Sequence, residues 1–246
     1  MRIDLNADVG EECGDDTALI PLLTSANVCC GVHAGGPETM RRTVALCLKH
    51  AVTIGAHFSY PDREHFGRRE LDIPASELRH SVLEQLRALD CIARSAGTEV
   101  HYLKAHGALY NRMARDPAVA DAVISAMDAF GPKLPLLTLP GSVAMQRAEA
   151  AGIVAVGEAF ADRGYQDDGQ LQPRDMPGAL LTDAGEVTSR ALAWVRGGLM
   201  QSVSGRAFGL EARSLCVHGD TPGAVEMAAA LRAVLADAGV ELKAFA

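Results

Sequence analysis

The alternation of apolar and polar residues along the chain predicts a repeated strand and helix architecture. Short apolar runs recur from one end of the chain to the other, and several are apolar on both faces, as is typical of parallel strands covered by helices. The runs predict seven strands, near Arg2–Asp8, Ala26–Val32, Val52–His57, Val100–Ala105, Leu134–Leu139, Ile153–Phe160 and Ser214–His218.

The helices between these strands have recognisable ends. One begins at Pro37, a second runs from Ser76 to Gly97, a third from Asp116 to Gly131, and the last from Thr221 to Gly239. Capping residues, proline in the first turn and glycine after the last turn are the usual signals of helix boundaries. Because no linker or low-complexity tract divides the chain, we predict a single domain over residues 1–246.

Two stretches interrupt the alternation of predicted strands and helices, namely Phe58–Pro74 and Ala161–Pro177. Both are long for connections in βα units, and loops of this length are usually functional or mobile. The segment Gly185–Leu210 is less regular, and its pattern predicts a helix near Val187–Val195 followed by a hairpin that contains Gln201–Val203.

Composition excludes several classes of function. The chain has 246 residues and a net charge of −8, with 23 Lys and Arg against 31 Asp and Glu, so we expect no nucleic-acid binding. The amino terminus lacks the features of a signal peptide, and no apolar stretch is long enough to span a membrane. We therefore expect a cytoplasmic protein without membrane contact, in which the six cysteines are reduced thiols.

Polar residues end most of the predicted strands. In a parallel barrel the carboxyl ends of the strands open on one face, where barrel enzymes place their chemistry. The residues expected there are Asn6, Asp8, His33, His57, Lys104, His106, Glu158, Asp162, Arg163, His218 and Asp220.

Asp8, His57 and His106 are the candidate metal ligands among these residues. A carboxylate and two neutral imidazoles from separate strand ends suit Zn²⁺, or Mg²⁺ or Mn²⁺, with a position left for water or substrate. The alternative is that each histidine hydrogen-bonds its neighbours and binds no metal, because no HExxH or CxxC spacing fixes the geometry. His33 and His218 are reserve ligands or acid–base groups.

Lys104, Glu158 and Asp162 are candidate catalytic residues. Lys104 ends an apolar strand, so we expect burial to lower the pKa of its ammonium, which would polarise a carbonyl, hold a carboxylate or form a Schiff base. Glu158 and Asp162 would position water or act as a general base. The alternative for both carboxylates is a salt bridge with Arg163.

Arginines in the two long stretches are candidates for binding an anionic substrate or a phosphate. Arg68, Arg69 and Arg174 have the forked guanidinium that suits this task, although exposed arginines are common and a solvated surface position is the more frequent explanation. Further candidates for binding substrate or phosphate are Asn6, His33, Arg163, His218 and Asp220. The chain contains no GxxxxGK[ST], GxGxxG or GxSxG motif, so a nucleotide would bind by another arrangement.

Eight ordered segments resemble the LamB/YcsF family of lactam-utilisation proteins, to which one component of 5-oxoprolinase belongs. They are DLNADVGE at Asp4–Glu11, SANVCCGVHAG at Ser25–Gly35, GAHFSYPDR at Gly55–Arg63, FGRRE at Phe66–Glu70, KAHGALYN at Lys104–Asn111, EAFADRGY at Glu158–Tyr165, QPR at Gln172–Arg174 and CVHGDTPGA at Cys216–Ala224. The chain departs from the family pattern at Gly36, where aspartate is expected, and at Phe58 and Ala105, where proline is common.

The resemblance implies an α/β fold, a variant (β/α) barrel related to the polysaccharide-deacetylase group. It also implies ATP-dependent opening of 5-oxo-L-proline to L-glutamate with partner subunits B and C. Carried over by position, Asp8, His57 and His106 correspond to the metal ligands of the related deacetylases. The alternatives are a metal-dependent deacetylase of carbohydrate amides and a non-catalytic substrate-binding subunit.

Overall fold

A computed structural model describes all of residues 1–246 and contains ten strands. The strands are β1 (Arg2–Val9), β2 (Ser25–Cys29), β3 (Thr53–Phe58), β4 (Tyr102–Ala105), β5 (Leu136–Thr138), β6 (Ala155–Phe160), β7 (Leu199–Gln201), β8 (Ala207–Gly209), β9 (Ser214–His218) and β10 (Glu241–Leu242). Strands β1 to β6 and β9 are parallel neighbours in that order, and β9 pairs with β1 to close a seven-stranded barrel. The predicted variant (β/α) barrel with seven parallel strands is confirmed.

The helices cover the outside of this barrel. They are α1 (Asp16–Leu19), α2 (Pro37–Lys49), α3 (Ala75–Ser95), α4 (Gly107–Met113), α5 (Pro117–Phe130), α6 (Val143–Ala150), α7 (Ala184–Gly197) and α8 (Ala224–Asp237). The predicted helices correspond to α2, α3, α5, α7 and α8, whereas the short α1, α4 and α6 were not predicted. None of the helices combines the length and the apolar character that crossing a membrane requires.

Some predicted boundaries are wrong for local reasons. Strand β2 ends at Cys29 rather than Val32, because Gly31 has a φ of +81° and turns the chain out of the strand. Helix α8 begins at Ala224 rather than at Thr221, because Gly223 takes a left-handed conformation with a φ of +78°.

Alternate residues of each strand face opposite sides of the sheet, and in β1 this separates polar from apolar side chains. Leu5, Ala7 and Val9 belong to the apolar core between the strands and the helices. Asn6 and Asp8 instead bond to residues of other strands across the barrel axis. The axis is therefore polar, unlike that of most (β/α) barrels, where branched apolar residues fill the interior.

The two long stretches and the hairpin complete the molecule. Phe58–Pro74 has no helix or strand after β3, and Ala161–Pro177 has only isolated bridges, one of which joins Arg163 to Leu180. The predicted hairpin is confirmed, since β7 and β8 pair antiparallel directly after α7.

Candidate functional site

A pocket of about 400 Å³ opens at the carboxyl ends of the barrel strands, within the range of small-ligand sites. Eight of the predicted site residues line it, namely Asp8, His57, Arg68, Lys104, His106, Arg163, Arg174 and His218. The others do not reach its wall, namely Asn6, His33, Arg69, Glu158, Asp162 and Asp220. The structure thus gathers side chains that are far apart in sequence into one cavity.

Lys104 lies on the floor of the pocket between two carboxylates. Its Nζ is 2.9 Å from Asp8 Oδ1 and 2.9 Å from Glu158 Oε1, and all three side chains are buried. Burial alone would lower the lysine pKa, but the charges of Asp8 and Glu158 outweigh it and hold that pKa well above its ordinary value.

The expected lowering of the Lys104 pKa is therefore wrong. Lys104 is a permanent cation that can hold an anion or polarise a carbonyl, and it is not the neutral amine that a Schiff base requires. Glu158 forms its ion pair with Lys104 rather than with Arg163.

Three histidines surround the carboxylate of Glu11 beside this floor. Glu11 Oε1 lies 2.8 Å from His33 Nε2, 3.2 Å from His106 Nδ1 and 3.7 Å from His57 Nε2. One ligand atom from each of these four buried residues lies within 4.8 Å of the others, so the cluster can hold a divalent metal.

This Glu11 cluster differs from the predicted triad. It shares His57 and His106 with that triad, whereas Asp8 belongs to a neighbouring group with Cys216 and His218. Asp8 still lies close, because its Oδ2 is 3.3 Å from His57 Nε2. Sequence reasoning missed Glu11, although it ends the DLNADVGE segment, where Gly10 (φ +75°) turns the chain back towards the histidines.

Hydrogen bonds behind the cluster orient two of the imidazoles so that they could bind a metal. The Ser59 hydroxyl donates to the Tyr60 carbonyl over 2.8 Å, so His33 Nδ1 donates to Ser59 Oγ over 2.9 Å. His106 Nε2 donates to the Phe66 carbonyl over 2.8 Å. Both remaining nitrogens therefore carry lone pairs: that of His33 is directed at Glu11, and that of His106 lies between Glu11 and His57 Nε2, which is 3.0 Å away. Outer partners orient metal-binding histidines in the same way.

The protonation states of the cluster suit a cation. Burial, followed by the neighbouring His57, lowers the pKa of His33 to about 3. Burial and the other histidines likewise hold the His106 pKa well below its ordinary value, so both rings are neutral. Burial and the charge of Asp8 raise the pKa of Glu11 well above its ordinary value, and a bound cation would reverse this by stabilising the carboxylate.

His218 and Asp162 form a second pair at the pocket wall. Burial opposes ionisation of Asp162, but His218 and the hydrogen bonds from the His218 amide and the Thr221 hydroxyl lower its pKa to about 2. Asp162 Oδ1 lies 3.0 Å from His218 Nδ1, so Nδ1 donates to it and Nε2 carries the lone pair. Because His218 lines the pocket, Nε2 is available as a general base.

Three arginines also line the pocket wall. Arg68 forms an ion pair with Asp220, and Arg174 Nη1 lies 3.7 Å from the same carboxylate. Arg163 donates only to backbone carbonyls, and burial together with Arg174 lowers its pKa to about 10. Arg68 and Arg174 share one carboxylate and Arg163 forms no ion pair, so the three guanidiniums carry more positive charge than Asp220 neutralises, which suits an anionic ligand. Arg69 is exposed and lies by Asp62.

Comparison with solved structures finds proteins that are similar over the whole length of this chain. The lactam utilization protein from Thermus thermophilus is 42% identical, and the match covers 100% of both chains with a TM-score of 0.93. A family 4 carbohydrate esterase from Streptomyces lividans is 9% identical and shows the fold alone, over 100% of this chain and 93% of that one with a TM-score of 0.51. The polysaccharide deacetylase Bc1974 from Bacillus cereus is 12% identical over 100% of this chain and 92% of that one, with a TM-score of 0.47.

The family assignment rests on the whole length of the sequence. The pattern of the LamB/YcsF family matches residues 3–246 and so includes every strand end that contributes to the pocket. Together with the full-length similarity to the Thermus protein, this match shows that the chain belongs to the LamB/YcsF family.

Proposed function

We propose that this chain is the lactam-binding component of an ATP-dependent 5-oxoprolinase, which opens the cyclic amide of 5-oxo-L-proline to L-glutamate together with subunits B and C. The observation that carries the proposal is the division of the pocket lining between arginines and a buried lysine with an Asp–His pair. A small lactam with one carboxylate matches this division. Similarity to a lactam utilization protein points to the same class of substrate.

The arginine wall would hold the substrate carboxylate. Arg163 and Arg174 supply forked donors, and Arg163 has no carboxylate of its own to compete with the ligand. With the carboxylate held there, the lactam ring would extend towards Lys104 and His218. The ammonium of Lys104 would then stabilise negative charge on the amide oxygen or on a phosphate attached to it.

Ring opening requires activation, because the five-membered amide is stabilised and its ring recloses readily. ATP would supply a phosphoryl group to the amide oxygen, which opens the ring carbon to attack by water. His218 Nε2 would accept the proton of the attacking water and pass it to the ring nitrogen as the C–N bond breaks, while Asp162 holds the imidazole. Cleavage of the C–N bond would leave the γ-carboxyl group as an acyl phosphate, which the second water would hydrolyse to L-glutamate and phosphate. The net reaction converts 5-oxo-L-proline, ATP and two waters to L-glutamate, ADP and phosphate.

The Glu11 cluster would hold a divalent cation in this reaction. Glu11, His33 and His106 present a carboxylate and two oriented lone pairs. His57 would be a fourth ligand or would instead hydrogen-bond to Asp8. Several imidazoles favour Zn²⁺ over Mg²⁺. A bound ion would act as a Lewis acid on a carbonyl or phosphoryl oxygen.

The decisive experiment measures glutamate release from 5-oxo-L-proline and ATP, with this chain alone and with subunits B and C. We expect release only when all subunits and ATP are present, and its loss in His218→Ala and Arg163→Ala. Arg147→Ala is the matched control, because Arg147 lies half-exposed on α6, paired with Asp121. Absence of glutamate from the complete mixture would contradict the proposal.

A metal-dependent deacetylase of carbohydrate amides is the second candidate, and the Glu11 cluster is the observation that favours it. Such an enzyme would release acetate without ATP and would lose all activity with a chelator. A non-catalytic substrate-binding subunit is the third candidate. It would bind 5-oxo-L-proline, and the pocket variants would leave turnover of the complex unchanged.

A further inference from the structure

A chain of buried hydrogen bonds runs along the barrel axis and ends beneath the pocket. The Ser214 hydroxyl donates to Asp4, and Asn6 Nδ2 donates to Ser214 Oγ over 2.7 Å. Asn27 Nδ2 donates to Asn6 Oδ1 over 2.7 Å and to Asp8 Oδ1 over 2.8 Å. Of these interior residues only Asp8 lines the pocket. The series of hydrogen bonds nevertheless connects the base of the barrel to its mouth.

The Tyr102 hydroxyl and the two acceptor oxygens of Asn6 and Asp8 together hold the orientation of Asn27. The two ends of an amide are alike in shape, so its orientation is decided by its hydrogen-bond partners. Tyr102 donates to Asn27 Oδ1 over 2.6 Å, and burial raises the tyrosine pKa well above its ordinary value, so the hydroxyl keeps its proton. A rotated amide would direct Oδ1 at the oxygens of Asn6 and Asp8, which cannot donate to it.

The position of that hydroxyl is fixed by packing. Gly55 on β3 faces the Tyr102 ring so closely that a Cβ there would lie 2.2 Å from the ring Cζ. Phe245 packs on the ring with the two centroids 4.9 Å apart, and Leu137 and Val156 complete its surroundings. Glycine at position 55 is therefore required for tyrosine to reach Asn27.

The Asn27 amide in turn contacts the carboxylate of Asp8. Its Oδ1 accepts from Asn27 Nδ2 and from Lys104 Nζ, which lie 2.8 Å and 2.9 Å away. Its Oδ2 faces His57 Nε2 at 3.3 Å. One interior amide thus sets the direction of the carboxylate on which both Lys104 and His57 depend.

We propose that Asn27 and Tyr102 are positioning residues, which fix the orientation of Asp8 and, through it, the Lys104 ammonium and the His57 ring. The inference rests on the proposed function, because these two groups act on the substrate only if the pocket is the reaction site. Neither Asn27 nor Tyr102 contacts the pocket, so they should affect turnover rather than substrate binding.

Tyr102→Phe tests the proposal by removing one oxygen while leaving the ring in place. We expect kcat of the complete 5-oxoprolinase to fall about tenfold, the value of one buried hydrogen bond, with KM changed less than about twofold. Tyr60→Phe is the matched control, because Tyr60 is buried and its hydroxyl makes no hydrogen bond. Equal kcat values for the two variants would overturn the proposal.

A double-mutant cycle separates positioning from general loss of stability. If Tyr102 acts through Asn27, the Asn27→Ala, Tyr102→Phe double variant should turn over no more slowly than Asn27→Ala alone. Additive losses would overturn the proposal. Thermal unfolding of each variant shows whether it is folded at the assay temperature.

A crystal structure of Tyr102→Phe distinguishes failure of this inference from failure of the proposed function. If the wild-type complex does not open 5-oxo-L-proline, the proposed function fails, but the positioning role is still read from coordinates. We expect the Asn27 side chain to shift and Asp8 to leave its contact with Lys104 in Tyr102→Phe and not in Tyr60→Phe. An unchanged Asn27 and Asp8 would overturn the positioning role.

Discussion

At the base of the barrel, the Asp4 carboxylate accepts hydrogen bonds from the hydroxyls of Thr24, Ser25 and Ser214 and forms no ion pair. At the mouth, Lys104 lies between two carboxylates, and two histidine lone pairs converge on Glu11. Both regions bury charge, but the base satisfies it with neutral donors that have no access to a cavity. The mouth instead places its cations and lone pairs around a pocket, so it is the region built to receive a ligand.

Lys104→Met should give the largest effect, because it removes the only cation between Asp8 and Glu158. Breaking a buried ion pair leaves uncompensated charge, so we expect a loss of about 3–5 kcal/mol in the free energy of unfolding. Loss of 5-oxoprolinase activity should accompany it. Urea unfolding at pH 7 measures the first effect.

The contribution of Glu158 sharpens this test. If the stability loss reflects charge left unpaired, a second substitution, Glu158→Gln in the Lys104→Met background, should restore part of it. Restored stability without restored activity would separate the structural role of Lys104 from its role in the reaction. A double variant less stable than Lys104→Met alone would contradict the assignment of Glu158 as its partner.

Asp4→Asn tests how burial of the carboxylate at the base of the barrel makes the free energy of unfolding depend on pH. Burial raises the pKa of Asp4 from 3.8 to about 6, against the opposing hydrogen bonds from Ser214, Ser25 and Thr24. The folded state therefore binds this proton more tightly than the unfolded chain, and stability is lost as pH rises from about 4 to about 6. Relative to Asp4→Asn, the free energy of unfolding of the wild type should fall by about 3 kcal/mol across that pH interval.

Chemical unfolding at pH 4 and at pH 7 measures this difference. Asp128→Asn, a substitution at an exposed carboxylate on α5, is the matched control. If the difference in free energy of unfolding between wild type and Asp4→Asn does not change with pH, burial does not raise the pKa of Asp4 and the prediction is wrong.

The strand ends were predictable from the sequence, but the roles of their side chains were only partly so. Apolar runs placed Asp8, His57 and Lys104 on one face, because parallel strands share a direction. The sequence could not show that Asp8 and Glu158, from β1 and β6, both reach the ammonium on β4, so the pKa prediction for Lys104 failed. That outcome depends on distances across the barrel, which local pattern does not encode.

Residues behind the pocket wall were the least predictable part of the site. Glu158 and Asp162 carry suitable chemistry, yet both are fully buried and contact Lys104 and His218, which line the pocket, rather than the pocket itself. Asn27 lies on β2 and was not predicted as a site residue, because no sequence pattern indicates which groups a buried amide will hydrogen-bond. Only side-chain contacts distinguish a residue that touches a ligand from one that orients it.

Ser59→Ala tests whether the mouth is organised for a metal from behind. Ser59 accepts from His33 Nδ1 and thereby leaves Nε2 free to bind a cation. Loss of such an outer partner typically weakens metal binding about 10- to 100-fold, so we expect the zinc dissociation constant to rise by at least about tenfold. Calorimetric titration with Zn²⁺ measures it, with Ser95→Ala as control, because Ser95 is exposed on α3 and its hydroxyl donates only to the Cys91 carbonyl. Equal affinities would contradict the assigned orientation of His33.

Gly36→Asp should have the smallest effect and concerns the outer rim beside the mouth. Gly36 is the N-cap of α2, where no side chain bonds to the helix amides. Its φ of 175° is extended backbone open to any residue, and a Cβ there would meet nothing within 4 Å. Aspartate would therefore cap α2 without strain and raise the free energy of unfolding by about 0.3 kcal/mol. Thermal unfolding measures the gain, and a decrease would show that a carboxylate at this rim meets unfavourable charge from Glu11 or Glu12 rather than the free amides of α2.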